Sequence, residues 1–199
     1  MHDSPATRAT LLIRLGDEAD REAWEQFVEI YAPLVYRYAR RRGLQDADAA
    51  DLAQEVLWRA ADAFRRRKYD RSRGNFRGWL LTIARNELFD WLRVHARREQ
   101  PGGGTTGFQA ISELAAHDEA ESWRREYDER LFQWACERVR AESRSQAWEA
   151  FERTSLQEQS GQEVAAALGI SVAAVYLAKS RVLKRMRELI AEVSDDELE

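Results

Sequence analysis

Between residues 77 and 97 four cations and one aromatic ring recur at multiples of four: Arg77, Arg85, Phe89, Arg93 and Arg97. On a helix that spacing makes one slowly drifting stripe, with Trp79, Trp91 and Asn86 close to it. Aromatic faces stack on unpaired bases and guanidinium groups hold the sugar-phosphate backbone, so this set suits single-stranded DNA better than duplex. The same residues also fit a solvated arginine face over a core of Phe76, Leu80, Ile83 and Leu92.

A second set lies near the end of the chain. Ser160-Gly161-Gln162-Glu163 is a capping box, in which a hydroxyl and a carboxylate satisfy free amide donors at a helix start. Gly169-Ile170-Ser171 then makes a turn, and Ser171 can cap a long final helix that turns Val172, Val175, Val182, Met186 and Leu189 inward. Small Ala165 and Gly169 sit where two helices must approach and cross, which is a helix-turn-helix in spacing and chemistry. Ala173, Ala174, Tyr176, Leu177, Ser180, Arg181 and Lys184 are left facing outward on its second helix. The small side chains permit approach to a thymine methyl, and the two cations can reach a base edge or a phosphate. A purely structural helical hairpin has the same pattern.

Catalytic and metal chemistry find no comparable set. The Gly-rich stretch lacks the Lys-Ser/Thr ending of a phosphate loop, and neither His-Glu-x-x-His nor Cys-x-x-Cys occurs. His95 and His117 have no candidate ligands around them and read as surface positions. The expectation is a protein that is not an enzyme, with no cofactor and no metal.

The elements that must carry these sets are helical throughout. In 199 residues there are only 3 Pro and 10 Gly, while 44% of residues are hydrophobic, with 7 Trp, 7 Phe and 6 Tyr to build cores. Ala, Leu, Glu and Arg dominate, which is helix-forming composition. The spacing predicts a helix over about 20–42, with Trp24, Phe27, Val28, Tyr31, Leu34, Val35 and Tyr38 on one face and a kink at Pro33. A second begins behind Asp46 or Asp48 with Leu52, Val56, Ala60 and Phe64 as its apolar edge. A loop over 70–75 and a third helix over 76–98 follow.

Pro101, Gly102, Gly103, Gly104, Thr105, Thr106 and Gly107 read as flexible chain. The acidic stretch 112–127 can be helical or can lie extended on a partner. From about Asp128 the apolar spacing resumes with Leu131, Phe132, Trp134, Ala135 and Val139, then Trp148 and Phe151. The expected organisation is all-α: two small helical domains, 10–98 and 128–192, joined by a flexible linker over 99–127.

The net charge of −4 hides a segregation along the chain. Residues 59–98 carry 12 Arg and Lys against Asp62, Asp70, Glu87 and Asp90, a local net of +8, whereas 100–159 sum to −5. Screening over about 8–10 Å confines each patch to its own neighbourhood, so a polyanion meets the first and is repelled by the second. No apolar run approaches the ~20 residues of a bilayer span, the first residues do not form a secretory signal, and the single Cys136 fits a reducing compartment. The expected location is the cytoplasm, without membrane contact. The acidic tail Asp195-Asp196-Glu197 is expected to be disordered.

Three strings together resemble the extracytoplasmic-function (ECF) sigma factors of bacterial RNA polymerase, within the sigma-70 family. Asp51-Leu52-Ala53-Gln54-Glu55-Val56 is similar to the polymerase-binding helix of the second conserved region. Phe76-Arg77-Gly78-Trp79-Leu80-Leu81-Thr82-Ile83-Ala84-Arg85-Asn86 is similar to its melting and recognition segment. Glu163-Val164-Ala165 through Val175 is similar to the region-four helix-turn-helix. The likeness covers about 10–98 and 128–190 and is strongest to the planctomycete-type ECF proteins.

The resemblance implies partners and roles. Asp51, Leu52, Gln54 and Glu55 would bind the clamp helices of core RNA polymerase. Asn86, Glu87 and Leu88 would form a loop capturing a flipped base of a melted −10 element, with Arg77, Trp79, Arg85, Phe89, Arg93 and Arg97 beside it. Ala173, Ala174, Tyr176, Leu177, Ser180, Arg181 and Lys184 would read duplex −35 DNA, although Tyr176-Leu177 replaces a more polar pair common in the family. The stretch 99–127 is too short for the third globular region of larger sigma factors. The implied protein is a monomer when free, with an anti-sigma factor as a further partner. A repressor explains only 160–190 and predicts tight duplex binding by the isolated chain.

Overall fold

The computed structural model describes residues 11–17, 19–66, 69, 75–99 and 116–194, with the side chains of 95–99 and 116–118 outside that set. The described residues form eight α-helices and no strand: α1 (Leu11–Arg14), α2 (Arg21–Arg41), α3 (Asp46–Arg65), α4 (Phe76–Glu99), α5 (Ala116–Glu142), α6 (Ser145–Ser155), α7 (Gly161–Leu168) and α8 (Val172–Val193). The expected all-α class holds. Two units divide within α5, between Arg130 and Leu131.

In the first unit α2 starts at Asp20, whose carboxylate accepts from the Ala23 N–H at 3.0 Å. Arg14 Nε, 2.8 Å from Asp20 Oδ2, ties α1 to this cap. The hydrogen bond from Arg14, then that from the Ala23 amide, hold the Asp20 carboxyl below its ordinary range. The helix runs through Pro33 and buries Phe27, Ile30, Tyr31, Leu34, Val35 and Tyr38. Val28 does not join them: it is 48% exposed, because 100° per residue carries it off the stripe set by Phe27 and Tyr31.

The other two core stripes come from α3, with Leu52, Val56, Ala60 and Phe64, and α4, with Phe76, Leu80, Ala84 and Leu88 at strict four-residue spacing. Aromatic rings lock the three together. Phe76 lies 6.1 Å from Phe27, 5.3 Å from Tyr31 and 5.7 Å from Phe64 between ring centroids, edge-to-face or tilted. Asn75 caps α4 by accepting from the Gly78 N–H at 2.8 Å. The rest of the expected 70–75 loop, the Gly-rich run 101–107 and the tail 195–199 lie outside the described residues.

The expected linker over 99–127 ends earlier than its composition suggested. From Ala116 the chain is helical, and Trp123, Glu126 and Tyr127 are buried within the first unit. Tyr127 stacks on Tyr31 at 5.8 Å and 25°, and the Trp123 indole N–H donates to the Arg77 carbonyl at 3.2 Å. Tyr38 donates to Glu119 at 2.8 Å, while Arg42 pairs with Glu119 and Arg41 with Glu126. Two carboxylates of this acidic stretch, Glu119 and Glu126, find the basic end of α2. Spread among them, Trp123 and Tyr127 supply the apolar anchors.

In the second unit α5 turns Leu131, Trp134, Ala135 and Val139 inward. Phe132, expected with them, is exposed, one residue off that stripe. Helix α6 adds Trp148, Ala150 and Phe151. Ala150, Val164, Ala165 and Val175 form a closed cluster against which Leu168, Ile170 and Ala178 pack. Arg185 of α8 pairs with Glu142 of α5 at 2.9 Å.

Candidate nucleic-acid interface

On α3 the exposed residues Asp51 and Gln54 share a face with half-exposed Glu55. Leu52 departs from that set. It is buried with Val56 and Ala60 on the opposite stripe, because one residue is 100° of helix. It reaches the surface only as the floor of an open groove of about 410 Å³, where Trp91 and Val94 of α4 are the other apolar walls and Asp51, Glu55, Glu87 and Asp90 the acidic ones. Arg59 Nε spans the groove end, 2.8 Å from both Glu55 Oε1 and Glu87 Oε1.

Glu87 and Leu88 were expected in a base-capturing loop with Asn86. All three are inside α4, which is unbroken from Phe76 to Glu99. Leu88 belongs to the core stripe, and Glu87 is buried beneath Arg59. Burial raises the Glu87 carboxyl above its ordinary range, Arg59 opposes that, and Glu55 and Asp90 reinforce it. Asn86 alone of the three is exposed.

The arginine stripe divides. Arg77 points into the unit, its guanidinium carbon 4.9 Å from the Tyr127 ring centroid and its Nη1 3.6 Å from Asp128 Oδ1. Burial pushes the Tyr38 phenol well up, the Arg42 charge opposes that, the bond to Glu119 reinforces it, and half-buried Arg85 adds a smaller opposing charge. Arg93 is exposed and pairs with Asp90 at 3.0 Å. A four-residue step overshoots a turn by about 40°, so Arg77 and Arg93 end up about 160° apart around α4. Phe89 is half-buried and Arg97 lies outside the described side chains. Trp79 packs its ring 5.4 Å from Phe76, 5.1 Å from Tyr69 and 6.1 Å from Phe64, so it closes the aromatic core while keeping part of its surface exposed.

In the second unit the expected caps form. Ser160 Oγ accepts from the Glu163 N–H, and the Glu163 carboxylate accepts from the Ser160 hydroxyl at 2.8 Å and from the Ser160 N–H at 2.9 Å, two bonds that depress the Glu163 carboxyl. Gly169 closes α7 at φ +65°, a left-handed conformation that a Cβ would strain. Ser171 Oγ accepts from the Ala174 N–H at 3.1 Å, and α7 meets α8 at a bend of 102°, within the range of helix-turn-helix pairs. Ala173, Tyr176, Leu177, Ser180, Arg181 and Lys184 are exposed on α8, and Ala174 is half-buried. Val172, expected inward, is 38% exposed because it starts the helix before the stripe of Val175, Val182, Met186 and Leu189 is established.

Two features escaped the sequence reading. Trp58, seven residues after Asp51 and so on the same face, is 58% exposed and extends the Asp51-Gln54-Glu55 surface with a large aromatic. Its i+7 spacing was the available signal. The groove between α3 and α4 had no signal, since Trp91 and Val94 acquire their role only from the crossing of the two helices. Among the described residues no single helix is long and apolar enough to cross a membrane, and no cluster of side chains could hold a metal ion.

Residues 27–98 match the Sigma-70 region 2 family, a span that takes in most of α2, all of α3 and nearly all of α4. The ECF RNA polymerase sigma factor SigE of Mycolicibacterium smegmatis is 35% identical over 82 residues, 41% of this chain and 30% of that protein. The ECF RNA polymerase sigma factor RpoE of Cereibacter sphaeroides is 30% identical over 92 residues, 45% of this chain and 48% of that protein. The chain thus matches less than half the length of either curated relative. Among solved structures, CnrH in complex with the cytosolic domain of CnrY is 21% identical with a TM-score of 0.37, over 92% of this chain and 97% of that one. The segment 27–98 is thus similar to sigma-70 region 2, and the two curated relatives that it resembles are ECF sigma factors.

Proposed function

We propose that the chain is an ECF-type sigma factor that binds core RNA polymerase, recognises −10 and −35 promoter elements and promotes melting for transcription initiation. One observation carries the reading: a sigma-70 region 2 segment and a fully capped helix-turn-helix occur in that order on one chain. A repressor needs only the second. Within that group the finer placement we propose is the planctomycete-type ECF proteins.

Asp51, Gln54 and Glu55 are the polymerase-binding residues in this reading, and Trp58 belongs with them. Asn86, Arg85, Phe89, Arg93 and Arg97 meet the melted −10 strand, with Trp79 at the edge of its aromatic cluster. Arg77 joins them only after leaving Tyr127 and Asp128. The first unit serves the −10 element and polymerase, and the second serves the −35 element. An anti-sigma factor is a further partner, and the cytoplasm, where core polymerase works, is the location. A sigma factor is not itself an enzyme.

Co-purification with core polymerase, followed by run-off transcription from a promoter library, tests the assignment. Stoichiometric binding and new start sites are expected. Tight sequence-specific duplex binding by the free chain, with no polymerase affinity, would replace it by the repressor.

A further inference from the structure

The outward face of α8 is apolar where base contacts would fall. Tyr176 is 55% exposed, Leu177 51% and Val172 38%, with Ala173 exposed between them. Readout of base edges by hydrogen bonds uses Arg, Lys, Asn or Gln, and the first two turns of α8 hold none of these. Residues 172–184 nevertheless include Lys179, Arg181 and Lys184 and no carboxylate. An apolar centre with a cationic rim matches a groove lined by methyl groups between two phosphate backbones, and matches a protein partner only if that partner is acidic.

We infer that α8 reads its duplex through thymine 5-methyl groups, contacted by Tyr176 and Leu177, while Arg181 and Lys184 hold phosphates. This rests on the reading of the second unit as the −35 domain. The Tyr176 ring is held in place for the task. A Cβ at Gly161 would lie 2.8 Å from Tyr176 Oη and 2.9 Å from its Cζ, so the ring lies directly on the bare backbone that opens α7. Packing on one side restricts the ring before DNA arrives, and less freedom is lost on binding. Lys184 pairs with Glu188 at 4.0 Å, an exposed pair that a phosphate can displace.

The test uses the full chain with core polymerase. Promoters are selected from a library randomised upstream of the −10 element, and each selected duplex is remade with deoxyuridine for thymine in the upstream element, which removes only the methyl groups. Holoenzyme affinity should fall about fourfold for each contacted methyl. Tyr176→Ala and Leu177→Ala should each lose part of this discrimination, and the double substitution should bind thymine and deoxyuridine duplexes alike. Gly161→Ala, whose methyl pushes the ring aside, should reduce the discrimination while leaving polymerase binding unchanged.

An enriched upstream sequence with no thymine-deoxyuridine difference in the parent protein overturns the methyl readout and leaves the −35 reading standing. No enriched upstream sequence, alongside normal polymerase binding, removes the −35 reading and the inference with it. Loss of polymerase affinity in Tyr176→Ala or Leu177→Ala, with discrimination intact, would make the patch a protein surface and overturn the inference.

Discussion

Arg77 lies with its guanidinium carbon 4.9 Å from the centre of the Tyr127 ring, so the first cation of the α4 stripe faces the N-terminal half of α5. Tyr127 is 2% exposed and stacks on Tyr31, while Asp128 is exposed and 3.6 Å from Arg77. Tyr127→Ala should therefore cost the first unit about 3–5 kcal/mol, as deletion of a large buried aromatic does. Asp128→Asn should change it by less than ~0.5 kcal/mol. Urea unfolding followed by helix dichroism separates them, and equal effects would mean that the ion pair rather than the ring anchors α5.

Gln54→Ala and Trp58→Ala should weaken core polymerase binding without lowering the melting temperature, since both side chains are exposed on one face of α3. Leu52→Ala should do the reverse in kind, costing about 2–5 kcal/mol of stability from its core position. Paired pull-down and thermal melts check this. A stable Leu52→Ala protein that fails to bind polymerase would return Leu52 to the contact set.

Asn86→Ala should leave the fold intact and lower open-complex formation roughly tenfold, the effect of losing about 1–3 kcal/mol of hydrogen bonding to a base edge. Trp79→Ala should lower both stability and opening, because its ring packs on Phe76, Tyr69 and Phe64. A pre-melted bubble distinguishes base capture from melting. Rescue of Asn86→Ala by the bubble would make Asn86 a melting residue instead of a capture residue.

Glu142 is held below the ordinary carboxylate range, first by its hydrogen bond from Arg185 and then by that charge, with burial opposing. A carboxyl depressed in the folded state contributes stability that is full above its unfolded pKa and is lost as pH falls through the folded value. The second unit should thus lose stability in acid below the usual Glu range, and Arg185→Ala should weaken that dependence. Glu87 has the opposite sign. Its folded pKa is raised by burial, so its contribution is full below the unfolded value and is lost as pH rises through the folded one. Carboxyl titrations by NMR should show Glu142 low and Glu87 high, and Glu142 returning towards its ordinary value in Arg185→Ala.

Much of this protein follows from local pattern. The capping box at Ser160, the left-handed turn at Gly169, the cap at Ser171 and the stripe Val175, Val182, Met186, Leu189 depend on residues a few positions apart, so the helix-turn-helix could be read from spacing. The stripes Leu52-Val56-Ala60-Phe64 and Phe76-Leu80 were readable for the same reason. On α3 the spacing placed Asp51, Gln54 and Glu55 on one surface, but it also put buried Leu52 with them and passed over exposed Trp58. Tertiary structure decided where neighbours far along the chain set the outcome. Glu119 and Glu126 read as part of an acidic linker, helical or extended on a partner, until Arg42 and Arg41, about eighty residues earlier, are brought beside them. Arg77 looks like a DNA contact until Tyr127 covers it. Glu87 looks like part of an exposed recognition segment until Arg59 of another helix closes over it. A helical period states which residues share a face, but it does not state which face the rest of the chain will cover. That choice is made by ion pairs and ring contacts whose energies exist only once the helices have met.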